Sequence, residues 1–142
     1  MYDASNKIVN SKTAPIIRCP FCRRKGEVMS DTIFHKIMRK EVPAEIVHED
    51  EQCIAFRDVN PVSPTHVLVV PKEKIPTLND ALPEHAPILG HLMYVAAEVA
   101  RKEGLNANGY RVVINCGADG AQTVFQLHLH IVGGRKFGWP PG

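Results

Sequence analysis

The chain has 142 residues, a formal net charge of +2, 44% hydrophobic residues and 23% charged residues. This length predicts one domain, and the ordinary balance of apolar and charged residues excludes a wholly disordered chain. The longest unbroken apolar run, residues 92–97, is too short for a bilayer-spanning helix or for the core of a secretory signal, so no membrane association is expected.

Residues 1–28 differ from the rest of the chain in charge and in pattern. They carry six Lys or Arg and two acidic residues (+4), whereas the remainder carries eleven basic and thirteen acidic residues (−2). We interpret them as a basic N-terminal extension, a flexible solvated tail, and place the compact domain at residues 29–142. An organelle-targeting role stays open for the extension, and the expected compartment is otherwise the cytoplasm or the nucleus. The slightly acidic body argues against a nucleic-acid groove.

Helix and strand patterns follow one another along the domain. A short amphipathic helix is predicted from residue 33 to about residue 40, and one long helix from residue 83 or 87 to residue 103. Five strands are predicted, at residues 45–48, 53–57, 66–70, 110–116 and 124–132. This order predicts an α+β fold with a mostly antiparallel five-stranded sheet, because the connections are too short for repeated crossovers.

The residues suited to catalysis lie on the last predicted strand. Side chains alternate between the two faces of a strand, so the odd-numbered residues from 125 to 131 form an apolar face that packs on the long helix. Gln126, His128 and His130 form the other face. Two neighbouring imidazoles can converge on an anion or a metal ion, and in nucleotidyl transfer one can attack phosphorus while the other donates hydrogen bonds. The alternative is a plain pair of surface histidines, which the clean apolar face opposite disfavours.

This stretch resembles the histidine triad (HIT) motif, and residues 30–142, about four-fifths of the chain, resemble the Hint branch of that superfamily (histidine triad nucleotide-binding proteins). The resemblance implies a HIT-like fold whose sheet extends across a homodimer. The closing Trp-Pro-Pro-Gly is typical of the Hint branch. The matching landmarks are Asp31-Thr32-Ile33-Phe34, Ala55-Phe56-Arg57-Asp58, Pro64-Thr65-His66, Pro71-Lys72, Asn115, Gly117, Asp119-Gly120, His128-Leu129-His130, Gly133-Gly134-Arg135 and Trp139-Pro140-Pro141-Gly142.

The resemblance implies a purine nucleotide as ligand and a role for each site residue. His128 would be the nucleophile, His130 would bind and polarise the phosphate, and His66 would complete the constellation. Thr123 stands where the family commonly has Ser, near the leaving group, and Asp58 would accept hydrogen bonds from both ribose hydroxyls. The other nucleotide-binding residues would be Ile33, Phe34, Phe56 and Val59 around the purine, and Asn115, Ala121, Gln122, Thr123 and Val124 on the phosphate side.

The implied activity is hydrolysis of the P–N bond of purine nucleoside 5′-phosphoramidates (AMP–amine adducts) or of acyl-adenylates, through a nucleotidyl-His128 intermediate and without a required cofactor. Gln126 replaces the family's first triad histidine, and glutamine can hydrogen-bond but cannot carry a proton. We expect activity to survive, because the proposed nucleophile and its two partner histidines are intact. The alternative is a purine-nucleotide-binding or scaffold protein with little turnover.

Zinc is a separate question. Zinc-carrying relatives have a cysteine pair near the start of the first helix, and the aligned positions hold Thr32 and His35, so that site is predicted to be lost. Cys19 and Cys22 form half of a tetrahedral site, for which the sequence shows no second pair at zinc-finger spacing. A zinc-dependent interaction module built on this pair is the third hypothesis, and a free thiol pair is its alternative.

The remaining cysteines and histidines are predicted to be structural. Cys53 and Cys116 lie in apolar, strand-like surroundings, which is typical of reduced core thiols. Four histidines have no motif around them and are predicted to lie on helix or strand surfaces: His35, His48, His85 and His91.

Overall fold

The computed structural model describes residues 30–142, so the predicted extension with Cys19 and Cys22 lies outside the described residues. The helices are α1 (Ile33–Met38) and α2 (Ala86–Lys102), and α2 follows two short 3₁₀ turns. The strands are β1 (Ile46–Glu49), β2 (Cys53–Arg57), β3 (Thr65–Pro71), β4 (Tyr110–Val113) and β5 (Leu129–Gly133). The predicted order of elements is thereby confirmed. No helix between residues 30 and 142 has the length and hydropathy that a bilayer span requires.

The five strands form one sheet in the order β1-β2-β3-β5-β4, and every neighbouring pair is antiparallel. The predicted α+β class and five-stranded antiparallel sheet are therefore confirmed. β3 and β5 are neighbours although a long stretch of chain separates them, with Val67 opposite Ile131 and Leu68 opposite His130. This pairing brings the residues around position 66 beside those around position 130.

Alternation along the strands gives the sheet two apolar faces. One face packs on α2 and forms the main core, in which Val67, Leu92 and Ile131 are fully buried. Burial of each such side chain stabilises the fold by roughly 1.5–3 kcal/mol. The other face is covered by the six residues of α1 through Phe34 and Ile37. Because α1 is so short, part of this second face stays open, and the candidate site lies there.

The last strand is shorter than predicted. Pairing begins at Leu129, whereas the sequence predicts a strand from residue 124. The segment before it bends away, and the backbone N–H of Leu127 donates to the carbonyl of Ile75 (2.6 Å) instead of to a neighbouring strand. The predicted apolar face is confirmed from Leu127 onward, whereas Phe125 is half-buried and lies outside the core against α2.

Two predictions about single side chains need correction. His35 is buried and not on the surface, because its Nδ1 accepts a hydrogen bond from the Thr32 backbone N–H (2.9 Å) across the first turn of α1. Cys53 is fully buried, as predicted, but Cys116 is half-buried because it lies beyond the end of β4.

Candidate active site

Two of the predicted catalytic histidines meet across β3 and β5. His66 lies on the same face of β3 as Leu68, and His130 lies directly opposite Leu68 on β5, so both imidazoles are on the face away from α2. His66 Nε2 and His130 Nδ1 are 2.9 Å apart, which is a hydrogen-bond distance. His66, which lies outside the motif, is thus placed beside the motif residue His130.

His128 lies one residue before β5 and is fixed by its surroundings. Its Nδ1 is 2.6 Å from the backbone carbonyl oxygen of Gln126. Because a carbonyl oxygen only accepts, Nδ1 carries the proton of the neutral ring and Nε2 keeps its lone pair. The ring packs against the ring of Phe34 (5.0 Å between centroids) and lies 4.8 Å from the ring of His130. His128 Nε2 is thus held in a fixed orientation, and in the neutral ring it carries no proton that would have to be removed.

A chain of hydrogen bonds sets the tautomers of the other two histidines. The backbone N–H of Val62 donates to His66 Nδ1 (3.2 Å), so the neutral His66 ring carries its proton on Nε2. His66 Nε2–H donates a hydrogen bond to His130 Nδ1. The neutral His130 ring must therefore carry its own proton on Nε2. This Nε2 atom is buried, and no described residue accepts a hydrogen bond from it. The site offers one lone pair on His128 and one unpaired N–H donor on His130.

Burial keeps the three imidazoles neutral. It lowers the pKa of His66 and of His128 below the usual value. Burial also lowers the pKa of His130 to about 4, and the neighbouring His128 and His66 add to that effect. The Asp58 carboxylate, 3.5 Å from His66 Nε2, opposes these shifts only in part. At neutral pH His128 Nε2 is therefore unprotonated, and an anion placed beside His130 would meet a neutral N–H donor.

The three histidines line a cavity of about 540 Å³, a size typical of small-molecule sites. Most of its lining is apolar, and the rings of Phe34 and Phe56 meet there edge to face, 5.5 Å between centroids. Asp58 is the only acidic residue among the described residues that line it, and its Oδ1 accepts from the backbone N–H of Asn60 (2.8 Å). This arrangement suits a ligand that combines a flat apolar part, hydroxyl groups and an anionic group.

Most of the predicted catalytic and nucleotide-binding residues line this cavity, and three of them do not. Asn115 lines a neighbouring cavity of about 330 Å³, to which His66 and His130 also contribute. Ala121 and Gln122 line neither cavity, because the Gln122 amide is turned inward and bonds to backbone groups of its own loop and of Pro76. The residues that do line the larger cavity are Ile33, Phe34, Phe56, Asp58, Val59, His66, Thr123, Val124, His128 and His130.

Gln126 does not stand beside the histidines in the cavity, so the prediction of one continuous polar face is wrong at this position. Its side chain is fully buried, and its amide Nε2 donates to the carbonyl oxygens of Pro71 (3.1 Å) and Glu73 (2.7 Å). The physical reason is the late start of β5 at Leu129, which lets the preceding segment turn this side chain inward, away from the cavity. Gln126 therefore secures the end of β3, and its backbone carbonyl orients His128.

Eight residues that sequence reasoning did not assign to the site also line the cavity: Ile37, Val42, Pro43, Ala44, Arg57, Asn60, Val62 and Leu68. Alternation along β3 from His66 could have identified Leu68. The backbone N–H of Val62 sets the tautomer of His66, but no side-chain pattern signals a backbone donor in a turn.

Two clusters of side chains among the described residues could hold a metal ion. One consists of Asp58, His66 and His130 in the cavity, where the two facing imidazole nitrogens are already joined by a hydrogen bond. The other consists of His48, Asp50 and Cys53 and lies on the α2 side of the sheet. Thr32 and His35, where a metal site is predicted to be lost, hydrogen-bond to each other and form a helix start, which does not fit a zinc site.

Comparison with known proteins gives consistent matches. The family model of the HIT domain matches residues 39–137. An uncharacterized HIT-like protein of Synechocystis is 57% identical over 112 residues, which are 79% of this chain and 97% of that protein. A protein of Zea mays named 14 kDa zinc-binding protein is 53% identical over 115 residues, 80% of this chain and 89% of that protein.

Solved structures share the fold. The crystal structure of a HIT family hydrolase from Legionella pneumophila matches with a TM-score of 0.77 and 43% identity, over 79% of this chain and 100% of that one. The crystal structure of a histidine triad nucleotide-binding protein from Candida albicans matches with a TM-score of 0.67 and 27% identity, over 78% of this chain and 83% of that one.

Proposed function

Since the chain belongs to the HIT domain family and has the fold of a HIT family hydrolase, we propose that it is a Hint-branch nucleotidyl hydrolase that cleaves the P–N bond of purine nucleoside 5′-phosphoramidates. AMP–amine adducts and acyl-adenylates are the proposed substrates, and AMP is the product. The observation that carries the proposal is the hydrogen bond between His128 Nδ1 and the Gln126 carbonyl, because it leaves His128 Nε2 free to attack phosphorus.

The cavity supports a purine nucleotide as substrate. The base packs on the apolar residues around Phe34 and Phe56, and the ribose hydroxyls donate to the Asp58 carboxylate. The phosphate lies beside His130, whose buried Nε2–H has no other acceptor among the described residues. A buried donor without a partner costs about 1–3 kcal/mol, which binding of an anionic oxygen recovers.

The first chemical step forms the covalent intermediate. His128 Nε2 attacks the α-phosphorus, the P–N bond breaks, and the leaving nitrogen takes up a proton from solvent and departs as the amine. The imidazole becomes positively charged, and its Nδ1–H donates a stronger hydrogen bond to the Gln126 carbonyl. His130 Nε2–H donates to the phosphate oxygen on which charge develops. Thr123, which lines the cavity, is the proposed hydrogen-bond partner of the leaving nitrogen.

The second step regenerates the enzyme. Water attacks the phosphorus of nucleotidyl-His128, the Nε2–P bond breaks, and AMP leaves. The water gives up one proton to solvent, and the electron pair of the broken bond returns to His128, which is again neutral with its proton on Nδ1. Since the reaction proceeds through a covalent histidine intermediate, its balance needs only water and no cofactor.

Binding without turnover is the competing hypothesis, and it rests on Gln126. The side chain of Gln126 lies outside the cavity and bonds to backbone carbonyls, so its inability to titrate removes no group from the proposed reaction. This location favours the enzyme over the scaffold.

The test is hydrolysis of a fluorogenic tryptamine phosphoramidate of AMP. We expect turnover by the unaltered protein and a loss on the order of 10³-fold or more in His128→Ala, with AMP binding retained. His85→Asn, a histidine outside the cavity, serves as the matched control and keeps its activity. Binding of AMP without turnover by the unaltered protein would favour the scaffold, and turnover by His128→Ala would exclude His128 as nucleophile.

We also propose that two copies pair to form a homodimer with a continuous sheet. β4 is an edge strand, and Met93 and Tyr94 on α2 are 50% and 61% exposed. Light scattering behind size exclusion tests this, since a dimer has twice the chain mass of 15.7 kDa. A monomer at all micromolar concentrations would contradict it.

A further inference from the structure

Four side chains that bind metal ions in many proteins converge at the turn between β1 and β2. His48 Nε2 and His91 Nε2 lie 2.9 and 2.8 Å from Asp50 Oδ2, and Cys53 Sγ lies 3.5 Å from the same oxygen. Three of these ligand atoms, those of His48, Asp50 and Cys53, all lie within 4.8 Å of one another. The fourth comes from α2, so the cluster joins a hairpin turn to the long helix.

The carboxylate at the centre of the cluster is held in place independently of the other three side chains. Asp50 Oδ1 accepts from the backbone N–H groups of Gln52 and Cys53, both at 2.8 Å. Oδ2 is therefore aimed at the histidines and the thiol by the backbone of the turn. Metal sites are commonly oriented by such outer hydrogen bonds to the ligand.

We propose that His48, Asp50, Cys53 and His91 form a binding site for Zn²⁺. Two imidazole nitrogens, one thiolate and one carboxylate oxygen are a donor set that zinc accepts in tetrahedral geometry, whereas Mg²⁺ and Ca²⁺ select oxygen ligands. Bonds of about 2.0–2.3 Å in a tetrahedron separate the ligand atoms by roughly 3.3–3.8 Å. His48 Nε2, His91 Nε2 and Cys53 Sγ lie 2.8 to 3.5 Å from Asp50 Oδ2, so binding requires the hydrogen-bonded atoms to move apart and the His91 ring to turn toward the shared ion.

Binding replaces the hydrogen bonds of the cluster by metal bonds. The Cys53 thiol releases its proton to solvent. Each imidazole, whose Nε2–H donates to Asp50 in the unbound cluster, exchanges that proton through solvent for one on Nδ1 and gives its Nε2 lone pair to the ion. The side chains of His48, Asp50 and His91 are 22%, 28% and 27% exposed, which leaves a route for the ion, while Cys53 is fully buried. With four protein ligands and no open position, the ion would be structural and would tie the β1–β2 turn to α2.

The site is independent of the proposed hydrolase. Cys53 belongs to the core between the sheet and α2, whereas Phe34 and Phe56 of the catalytic cavity belong to the cluster on the other face. We therefore expect removal of zinc to lower the free energy of unfolding and to leave the catalytic residues in place.

The test follows Co²⁺ binding to the full chain. A thiolate bound to Co²⁺ gives a sulfur-to-metal charge-transfer band, which the nitrogen and oxygen ligands of the catalytic cavity cannot produce. The chain carrying Cys19→Ser and Cys22→Ser is expected to bind one equivalent of Co²⁺ with this band and to lose the band on addition of Zn²⁺. Adding Cys53→Ser abolishes the band, whereas adding Cys116→Ser, the matched control, leaves it. Absence of the band before Cys53 is replaced, or its survival afterwards, overturns the proposal.

A second variant tests the proposal even if Cys53→Ser does not fold, since Cys53 is in the core. His91→Gln changes a side chain at the rim of the cluster and is expected to fold, as circular dichroism will show. It should weaken Co²⁺ binding about 10–100-fold and abolish the rise in Tm that Zn²⁺ gives the chain lacking Cys19 and Cys22. An unchanged Co²⁺ affinity in His91→Gln overturns the proposal whatever Cys53→Ser does.

Discussion

His66 and His130 are 64 residues apart in the chain and share a hydrogen bond of 2.9 Å between Nε2 of the first and Nδ1 of the second. Because the Val62 N–H occupies His66 Nδ1, this hydrogen bond runs in one direction and leaves His130 with a proton on its buried Nε2. We therefore propose that His66 acts through His130, as a positioning residue that keeps His130 Nε2 a donor toward the phosphate.

Replacing His66 tests that role. His66→Phe keeps a ring but removes the donor, so His130 can adopt the tautomer with a lone pair toward the phosphate. We expect kcat to fall about 10–100-fold with a smaller change in KM, since the lost interaction matters most in the transition state. His66→Gln keeps an N–H and should recover part of kcat. Equal activity of the Phe and Gln variants in steady-state assays would contradict the role.

The pH dependence of kcat/KM follows from the neutral state of the imidazoles. Burial lowers the pKa of His128 below its ordinary value of 6.5, and the group must be unprotonated to attack. Activity should therefore be flat around pH 7 and fall only as pH drops through this lowered pKa. A further loss is expected near pH 4, because the pKa of His130 is lowered to about 4. An acid limb at or above pH 6.5 would contradict the assignment.

The sequence alone does not show which strands pair, and this limited how much of the site could be predicted. Alternation places His66 on one face of its strand and His130 on one face of its own strand, but only the pairing of β3 with β5 brings the two faces together. The family resemblance supplied that link. Residues on a regular strand or directly beside one, such as His66 and His130, were placed in the cavity more reliably than residues in loops.

The failures occurred where the chain leaves regular structure. No residue between 124 and 128 signals that β5 begins at Leu129. The alternation of side chains along a strand therefore could not predict that Gln126 is buried. His35 was predicted to be exposed because helix periodicity does not show that an imidazole can turn back to the helix start. His48 and His91 were predicted to be surface residues, and their shared contact with Asp50 joins a hairpin turn to a distant helix. Such long-range contacts leave no local pattern.

Replacing Gln126 is expected to change the free energy of unfolding more than it changes kcat. Gln126→Ala leaves the carbonyls of Pro71 and Glu73 without their donor and should lower the free energy of unfolding by about 1–3 kcal/mol. Gln126→His can restore a donor and should change kcat less than about tenfold, because the side chain lies outside the cavity. Urea unfolding and the phosphoramidate assay measure the two effects. The exposed Gln52→Ala is the control, expected to stay within about 0.5 kcal/mol.

Asp58 gives the sharpest test of the nucleotide's orientation. Its carboxylate is the only acidic group among the described residues that line the cavity, so it is the expected acceptor for the ribose hydroxyls. Asp58→Asn keeps the shape but replaces one acceptor oxygen by a donor, and AMP binding should weaken about 10–150-fold, as a lost charge-assisted hydrogen bond of roughly 1.5–3 kcal/mol implies.

The same change should matter less for 2′-deoxy-AMP, which lacks one of the two hydroxyls and already makes one hydrogen bond fewer. Calorimetric titration of both ligands into both proteins measures the coupling, with Asp119→Asn, an exposed carboxylate outside the cavity, as the control that leaves both affinities unchanged. Equal weakening of the two ligands by Asp58→Asn would mean that the carboxylate does not contact the 2′-hydroxyl. Asp58 would then bind a group that the two ligands share, such as the 3′-hydroxyl. The attack of His128 on phosphorus would be unaffected, because its lone pair is set by the Gln126 carbonyl and not by Asp58.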